Sequence, residues 1–260
     1  MKRERCSVTI ITLNEEKNLR NCLQSVRWAD EVVVVDSGSS DGTLRIAEEF
    51  GCKVIHNPWP GMREQKNIAT AAAAGPWILN LDADERMSEE LQSEVQSHLA
   101  DPKFDGFSFP RKNIFLGKWM RHGGWYPDET LRLFRKGQGK FGGINPHSNV
   151  ELPVGAKVAT LKHPLVHYTY FTLAQYVGKQ YSYADAAARE LFESGKLRSV
   201  SPARIWVKTF WKFIETYFIK RGFLDGTHGL IAALGATFGA YLKQARIWEL
   251  SRQPKAGSNT

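Results

Sequence analysis

The 260-residue sequence predicts an α/β fold, a mostly parallel sheet flanked by helices with a helical extension behind it. Short β-branched runs alternate with helix-like stretches between Ser7 and Asp82, as crossover-linked parallel strands require. The run Val32 to Val35 lacks polar alternation, the pattern of a strand covered on both faces. Hydrophobic residues make up 42% of the chain, enough for a real core and too much for a disordered tail.

Strands are expected over 7–12 (SVTIIT), 31–35 (EVVVV), 53–56 and 77–81 (WILNL). Helices are expected over 18–26, 43–50 and 62–73, with Asp41 as an N-cap and Gly51 as a C-terminal stop. Residues 104–167 are rich in Gly, aromatic and basic residues, so irregular strands and loops are expected there. Helical character returns from Thr172, breaks at Ser199 to Pro202, and ends in a frayed tail. The division is therefore 1–170, 171–250 and 251–260.

The formal charge of +8 is unevenly placed. Residues 196–260 hold 11 Lys and Arg against 3 Asp and Glu, while the preceding part balances at 24 against 24. A basic tail beside a neutral body points to an anionic surface, and no nucleic-acid-binding motif accompanies it, which favours membrane over nucleic acid. Cys6, Cys22 and Cys52 show neither metal nor redox spacing and read as reduced thiols of a cytosolic body. The first residues enter a strand without the apolar stretch of a secretory signal, so export is not expected.

Chemistry-bearing residues gather at strand ends. Asp82-Ala83-Asp84-Glu85 closes the fourth strand, where open α/β sheets bind ligands. Alternate residues of a strand face opposite ways, so a turn is needed to aim both aspartates at one ligand; one can then grip a divalent cation. The second strand ends in Asp36-Ser37-Gly38-Ser39-Ser40-Asp41-Gly42-Thr43, whose Asp36 can accept hydrogen bonds from a base or ribose. The first ends in Thr12-Leu13-Asn14-Glu15, and Arg63 and Lys66 share the opening of a later helix. Taken singly, each segment could equally be a solvated turn or helix start.

In combination these segments resemble glycosyltransferase family 2, the inverting nucleotide-sugar enzymes of GT-A fold. The resemblance rests on Asn14-Glu15, the Val35 to Thr43 loop, and Asp82-Ala83-Asp84. Gly123 to Asp128 with Leu131 to Lys136 looks like the lipopolysaccharide core β-1,4-glucosyltransferases. The resemblance implies that residues 1–100 bind the nucleotide sugar and 101–170 form the acceptor side. It implies a UDP-sugar held by Thr12, Glu15, Asp36, Lys66, Asp82, Ala83 and Arg132, with Glu15 and Asp36 at the uridine. It further implies Mg²⁺ or Mn²⁺ on Asp84, with His147 as a second ligand, and Asp128 as general base. Ser37 and Leu13 depart from the family pattern, which often has a second acid and an aromatic there, and Ser148 stands where the subgroup has Glu.

An acceptor hydroxyl would attack the anomeric carbon as a carboxylate takes its proton; the resemblance makes that Asp128, and the adjacent Glu129 is its rival, only one of the two diverging side chains being expected to face the site. Behind this part, Trp206, Phe210, Phe213 and Tyr217 recur at helical spacing within 204–221, with Lys208 and Lys212 on another side. That pattern suits a helix lying in a membrane interface or packed on the catalytic part. Residues 226–242 lack Asp, Glu, Lys and Arg, but 17 helical residues reach only about 25 Å, short of a ~30 Å hydrocarbon core. A surface-lying or re-entrant helix is therefore expected. The leading expectation is a peripheral enzyme of the cytoplasmic face of the inner membrane, extending a lipid-linked saccharide such as lipopolysaccharide from UDP-glucose. Transfer to polyprenyl phosphate and a non-catalytic nucleotide-binding module are the alternatives.

Overall fold

The computed structural model describes residues 3–144 and 147–252, with Ile144 and His147 described by backbone alone. In chain order the elements begin β1 (Cys6–Thr12), α1 (Glu16–Gln24), β2 (Glu31–Asp36), α2 (Thr43–Glu49), β3 (Lys53–His56), α3 (Met62–Ala72) and β4 (Trp77–Asp82). There follow β5 (Glu85–Arg86), α4 (Glu89–Ala100), β6 (Gly106–Phe115), β7 (Lys118–Trp119), β8 (Glu129–Arg135), β9 (Lys140–Ile144) and β10 (His147–Glu151). The chain closes with β11 (Val158–Thr160), β12 (Leu165–Tyr170), α5 (Leu173–Glu193), α6 (Pro202–Phe213) and α7 (Gly226–Arg252). It divides into two compact units, residues 1–113 with 127–169, and residues 114–126 with 170–260.

The first unit is built on a sheet of order β3-β2-β1-β4-β8-β6-β12-β5. β3, β2, β1 and β4 are parallel, as the sequence predicts. Beyond β4 the sheet is mixed: β4 with β8, β8 with β6, and β12 with β5 are antiparallel, while β11 runs parallel to β6. Parallel neighbours need a long crossover connection, which helices supply up to β4 and the strands between β6 and β11 supply afterwards. The region expected to be irregular thus contains regular strands, including the ten-residue β6. The helix α4 had no counterpart in the sequence reading.

Both faces of the parallel half are covered, which explains its unbroken apolar runs. Val8, Ile10, Val34, Leu79 and Leu81 pack with Leu19 and Leu23 of α1 and Leu91, Val95 and Leu99 of α4. On the other face Val33, Val35 and Ile78 pack with Ala69 and Ala73 and with Phe134 and Phe141. Gly51 takes a left-handed φ of 68° just past α2, as a helix stop requires. Asp41 caps one position early, its Oδ1 accepting from the Thr43 amide at 3.0 Å while Gly42 holds the N-cap position.

In the second unit α5 and α7 cross closely. Tyr176 of α5 donates its hydroxyl to the Ala232 carbonyl at 2.7 Å, and a Cβ on Gly235 would meet the Tyr176 ring at 2.1 Å. A Cβ on Gly239 would meet Gln180 at 2.5 Å, so the Gly235/Gly239 pair sets the approach of the two helices. The 226–242 stretch therefore forms part of a packed 27-residue helix. The helix expected over 204–221 ends at Phe213 and continues as a wider π-type turn over Ile214–Ile219. None of the described helices is long and apolar enough to cross a membrane.

Candidate functional site

The register brings three strand ends level: Thr12 pairs with Asp36, and Ile11 with Asp82. Adjacent strands lie about 4.8 Å apart, so the Asp36 and Asp82 backbones stand roughly 10 Å from each other on one rim. Asp36 is fully buried. Its carboxylate accepts from Thr12 Oγ1 at 2.9 Å, from the amides of Gly38 and Ser39 at 2.9 and 2.8 Å, and from Ser39 Oγ at 2.5 Å. Burial alone would raise its pKa, but these bonds outweigh it and hold the carboxyl below the ordinary range. Asp36 thus fixes the loop, with no face of its carboxylate left open for a base.

Asn14, at a left-handed φ of 56°, laces the first loop to the second. Its amide donates to Ser39 Oγ and its Oδ1 accepts from the Ser40 amide, both at 2.8 Å. Glu15, half-buried beside it, donates its amide to Thr43 Oγ1 at 2.8 Å and accepts at Oε2 from Asn18. Thr12 is buried beneath this pair of loops.

The expected turn after β4 is present at Ala83 and Asp84. Asp82 lies between two cations, Lys66 Nζ at 2.7 Å and an Arg132 amino group at 2.7 Å. Arg132 also pairs with Glu85 at 2.5 Å and donates to Asn80 Oδ1 at 3.2 Å. Burial would raise the Asp82 pKa, but Arg132 and Lys66 hold it well below the carboxylate range. Lys66 and Arg132 are themselves buried. Their charge therefore reaches the rim through Asp82, whereas the sequence expectation placed them directly against the nucleotide. Ala83 is buried in the core, and its methyl group makes room for the turn.

Asp84 and Asp128 are joined by two residues that carried no role in the sequence reading. Asp128, just before β8, pairs with Arg111 at 2.7 Å and accepts from Asn113 Nδ2 at 3.2 Å. Asn113 Oδ1 lies 2.7 Å from His167 Nδ1, and His167 Nε2 lies 3.5 Å from Asp84 Oδ2. Burial opposes protonation of His167, yet Asp84 and Glu85 raise its pKa. Glu129 diverges from its neighbour and accepts from Thr160 Oγ1 at 3.1 Å.

Asp84 with His167 is a donor set suited to a divalent cation. Among the described residues no group of three or more His, Cys, Asp or Glu could enclose a metal ion, so a cation here would take its other ligands from phosphate and water. The side chain of His147, the expected partner of Asp84, lies outside the described residues. Asp82, Asp84 and Asp128 do meet, through Arg132, Glu85 and Arg111 on one side and His167 and Asn113 on the other. The missed residues had one usable signal: Arg111 and Asn113, like His167 and Thr169, are two apart on strands and share a face.

Over residues 7–150 the chain matches the sequence model described as glycosyl transferase family 2. A Rickettsia bellii protein named as an uncharacterized glycosyltransferase is 33% identical over 96% of this chain and 88% of its own length. A Rhizobium meliloti relative, named as the lipopolysaccharide core biosynthesis glycosyltransferase LpsC, is 30% identical over 94% of this chain and 92% of its own. Among solved structures, that of S. aureus TarS 1–349 in complex with UDP-GlcNAc aligns with a TM-score of 0.49 and 17% identity, over 91% of this chain and 81% of that one. The sequence match covers more than half of the chain and the relatives nearly all of it: this protein is an enzyme of glycosyl transferase family 2.

Proposed function

We propose that this enzyme moves a hexose, glucose from UDP-glucose in first place, onto the inner core of a lipid-linked saccharide such as lipopolysaccharide, with inversion. The observation that carries the reading is the meeting of Asp128 with Asp84 through Asn113 and His167. Asp128 takes the proton of the acceptor hydroxyl as its oxygen bonds the anomeric carbon, and the bond from that carbon to the UDP oxygen breaks. Asp84 and His167 would hold Mg²⁺ or Mn²⁺, which when bound neutralises charge on the departing diphosphate. Glu15 and the loop fixed by Asp36 offer the polar surface for uridine. Arg111 keeps Asp128 turned toward the site. The printed name of the Rhizobium relative supports the core-saccharide acceptor.

The same reading places the enzyme peripherally at the cytoplasmic face of the inner membrane. On the second unit Trp206 is 76% and Phe210 67% exposed, with Trp211, Phe218 and Ile219 also exposed, beside Lys208, Lys220 and Arg221. Large aromatic and basic groups side by side are the composition of an interface with anionic lipid. A panel of UDP-sugars offered with Mn²⁺ and a truncated, extracted lipopolysaccharide tests the reaction. Mass gain of one hexose on the lipid, with UDP-glucose preferred, is expected; UDP release without any gain on lipid overturns the acceptor.

A further inference from the structure

Asn113 is 4% exposed, it sits between the two working ends of the site, and nothing in the reaction above requires it to touch substrate. Its amide is asymmetric, with two donors on nitrogen and only acceptor sites on oxygen. Asp128, ion-paired with Arg111, presents a carboxylate that accepts and does not donate, so it takes the Asn113 amino group at 3.2 Å. That choice leaves Asn113 Oδ1 facing His167 Nδ1 at 2.7 Å. An oxygen there demands a proton on Nδ1. The flipped amide would set oxygen against the Asp128 carboxylate and an N–H against the ring nitrogen that the neutral Nδ1–H form protonates. Thr169 Oγ1, 3.4 Å from Nδ1 and 3.5 Å from Oδ1, can accommodate either orientation and decides nothing.

With the proton on Nδ1, the neutral ring has its lone pair on Nε2, which faces Asp84 Oδ2 at 3.5 Å. Without a cation a proton on Nε2 bridges to Asp84, and a divalent cation would take the place of that proton. We propose that Asn113 is a positioning residue: anchored by Asp128, it fixes the His167 tautomer that presents Nε2, together with Asp84, to a divalent cation. This rests on the proposed reading of Asp84 and His167 as the cation pair and of Asp128 as base. It adds that both are set by one amide, so the proton-accepting end and the diphosphate end are held in a single geometry.

The test uses the full chain labelled with ¹⁵N-histidine, without added metal, at a pH that keeps the ring neutral. Long-range ¹H–¹⁵N spectra should show His167 protonated on Nδ1 in the wild type. In Asn113→Leu the proton should move to Nε2 or distribute over both nitrogens, and Mn²⁺ affinity in the presence of UDP, read by calorimetry, should fall about 10- to 100-fold. Asn113→Asp covers the case in which the leucine variant does not fold. It keeps an oxygen toward Nδ1, so the tautomer and the Mn²⁺ affinity should survive while transfer collapses, because a like charge then faces Asp128. An unchanged tautomer and Mn²⁺ affinity in Asn113→Leu, or loss of both in a folded Asn113→Asp, overturns the proposal. Failure of the wild type to bind Mn²⁺ with UDP would instead overturn the cation pair, with the tautomer measurement still deciding the role of Asn113.

Discussion

The two units of this enzyme use polar and apolar groups in opposite ways. In the first, charged side chains are withdrawn from water and paired: Arg132 is buried between Asp82 and Glu85, and Lys66 lies against Asp82. In the second, Trp206, Val207, Phe210 and Trp211 stand in water, and α6 has no buried residue at all. A buried ion pair is weak evidence for stability but fixes geometry, and an exposed aromatic strip does nothing for the stability of its own helix. The contrast teaches that one unit withdraws and pairs its charges to fix positions, while the other leaves large apolar side chains uncovered.

The largest effect expected on the precise unit is catalytic. Asp128→Asn should lower transfer by at least ~10²-fold while nucleotide affinity, measured by calorimetry, stays near wild type. Undiminished transfer would remove Asp128 from the mechanism. Next in size is structural: Arg132→Met leaves Asp82 with Lys66 alone and buried Glu85 with only the longer Arg111 pair, and should cost about 3–5 kcal/mol in denaturant unfolding. A cost below about 1 kcal/mol would mean that the network is not the scaffold of the rim.

The second unit offers the converse experiment. Trp206→Ser combined with Phe210→Ser should weaken sedimentation with anionic vesicles at least ~10-fold. Unfolding stability should stay within about 0.5 kcal/mol, because the substituted groups pack on little. Loss of stability with unchanged vesicle binding would erase the contrast. The smallest effect is expected at Asp36. Its depressed pKa contributes stability above the unfolded value of about 3.9, and that contribution fades as pH falls through the lower folded value. Asp36→Asn should therefore lower the melting temperature at pH 7, and the gap to wild type should narrow below about pH 4. A gap independent of pH would show that the charge on Asp36 is not what holds the loop.

Much of the rim was legible because it is local in sequence. β1 to β4 announce themselves as short β-branched or apolar runs followed by polar turns, and Asp82-Ala83-Asp84 sits at one such turn. The partners of Asp84 and Asp128 were not legible. Arg111, Asn113 and His167 come from β6 and β12, far apart in the chain, and meet only because the sheet sets those two strands side by side. No spacing rule links residue 113 to residue 167. Lys66 and Arg132 were found as cations but not as buried ones, since burial follows from the packing of α3 and β8 and leaves no local mark.

One buried group beneath the rim has a practical consequence. Cys22 is completely enclosed, its Sγ 3.6 Å from the Asp82 carbonyl oxygen. Burial first, then the nearby Glu85, Asp84 and Asp82, raises its pKa well above that of a free thiol. Alkylating reagents need thiolate and access, and the folded chain denies them both. Cys22 is thus a built-in clock for local opening: the speed at which maleimide labels it counts how often the floor under the aspartates comes apart.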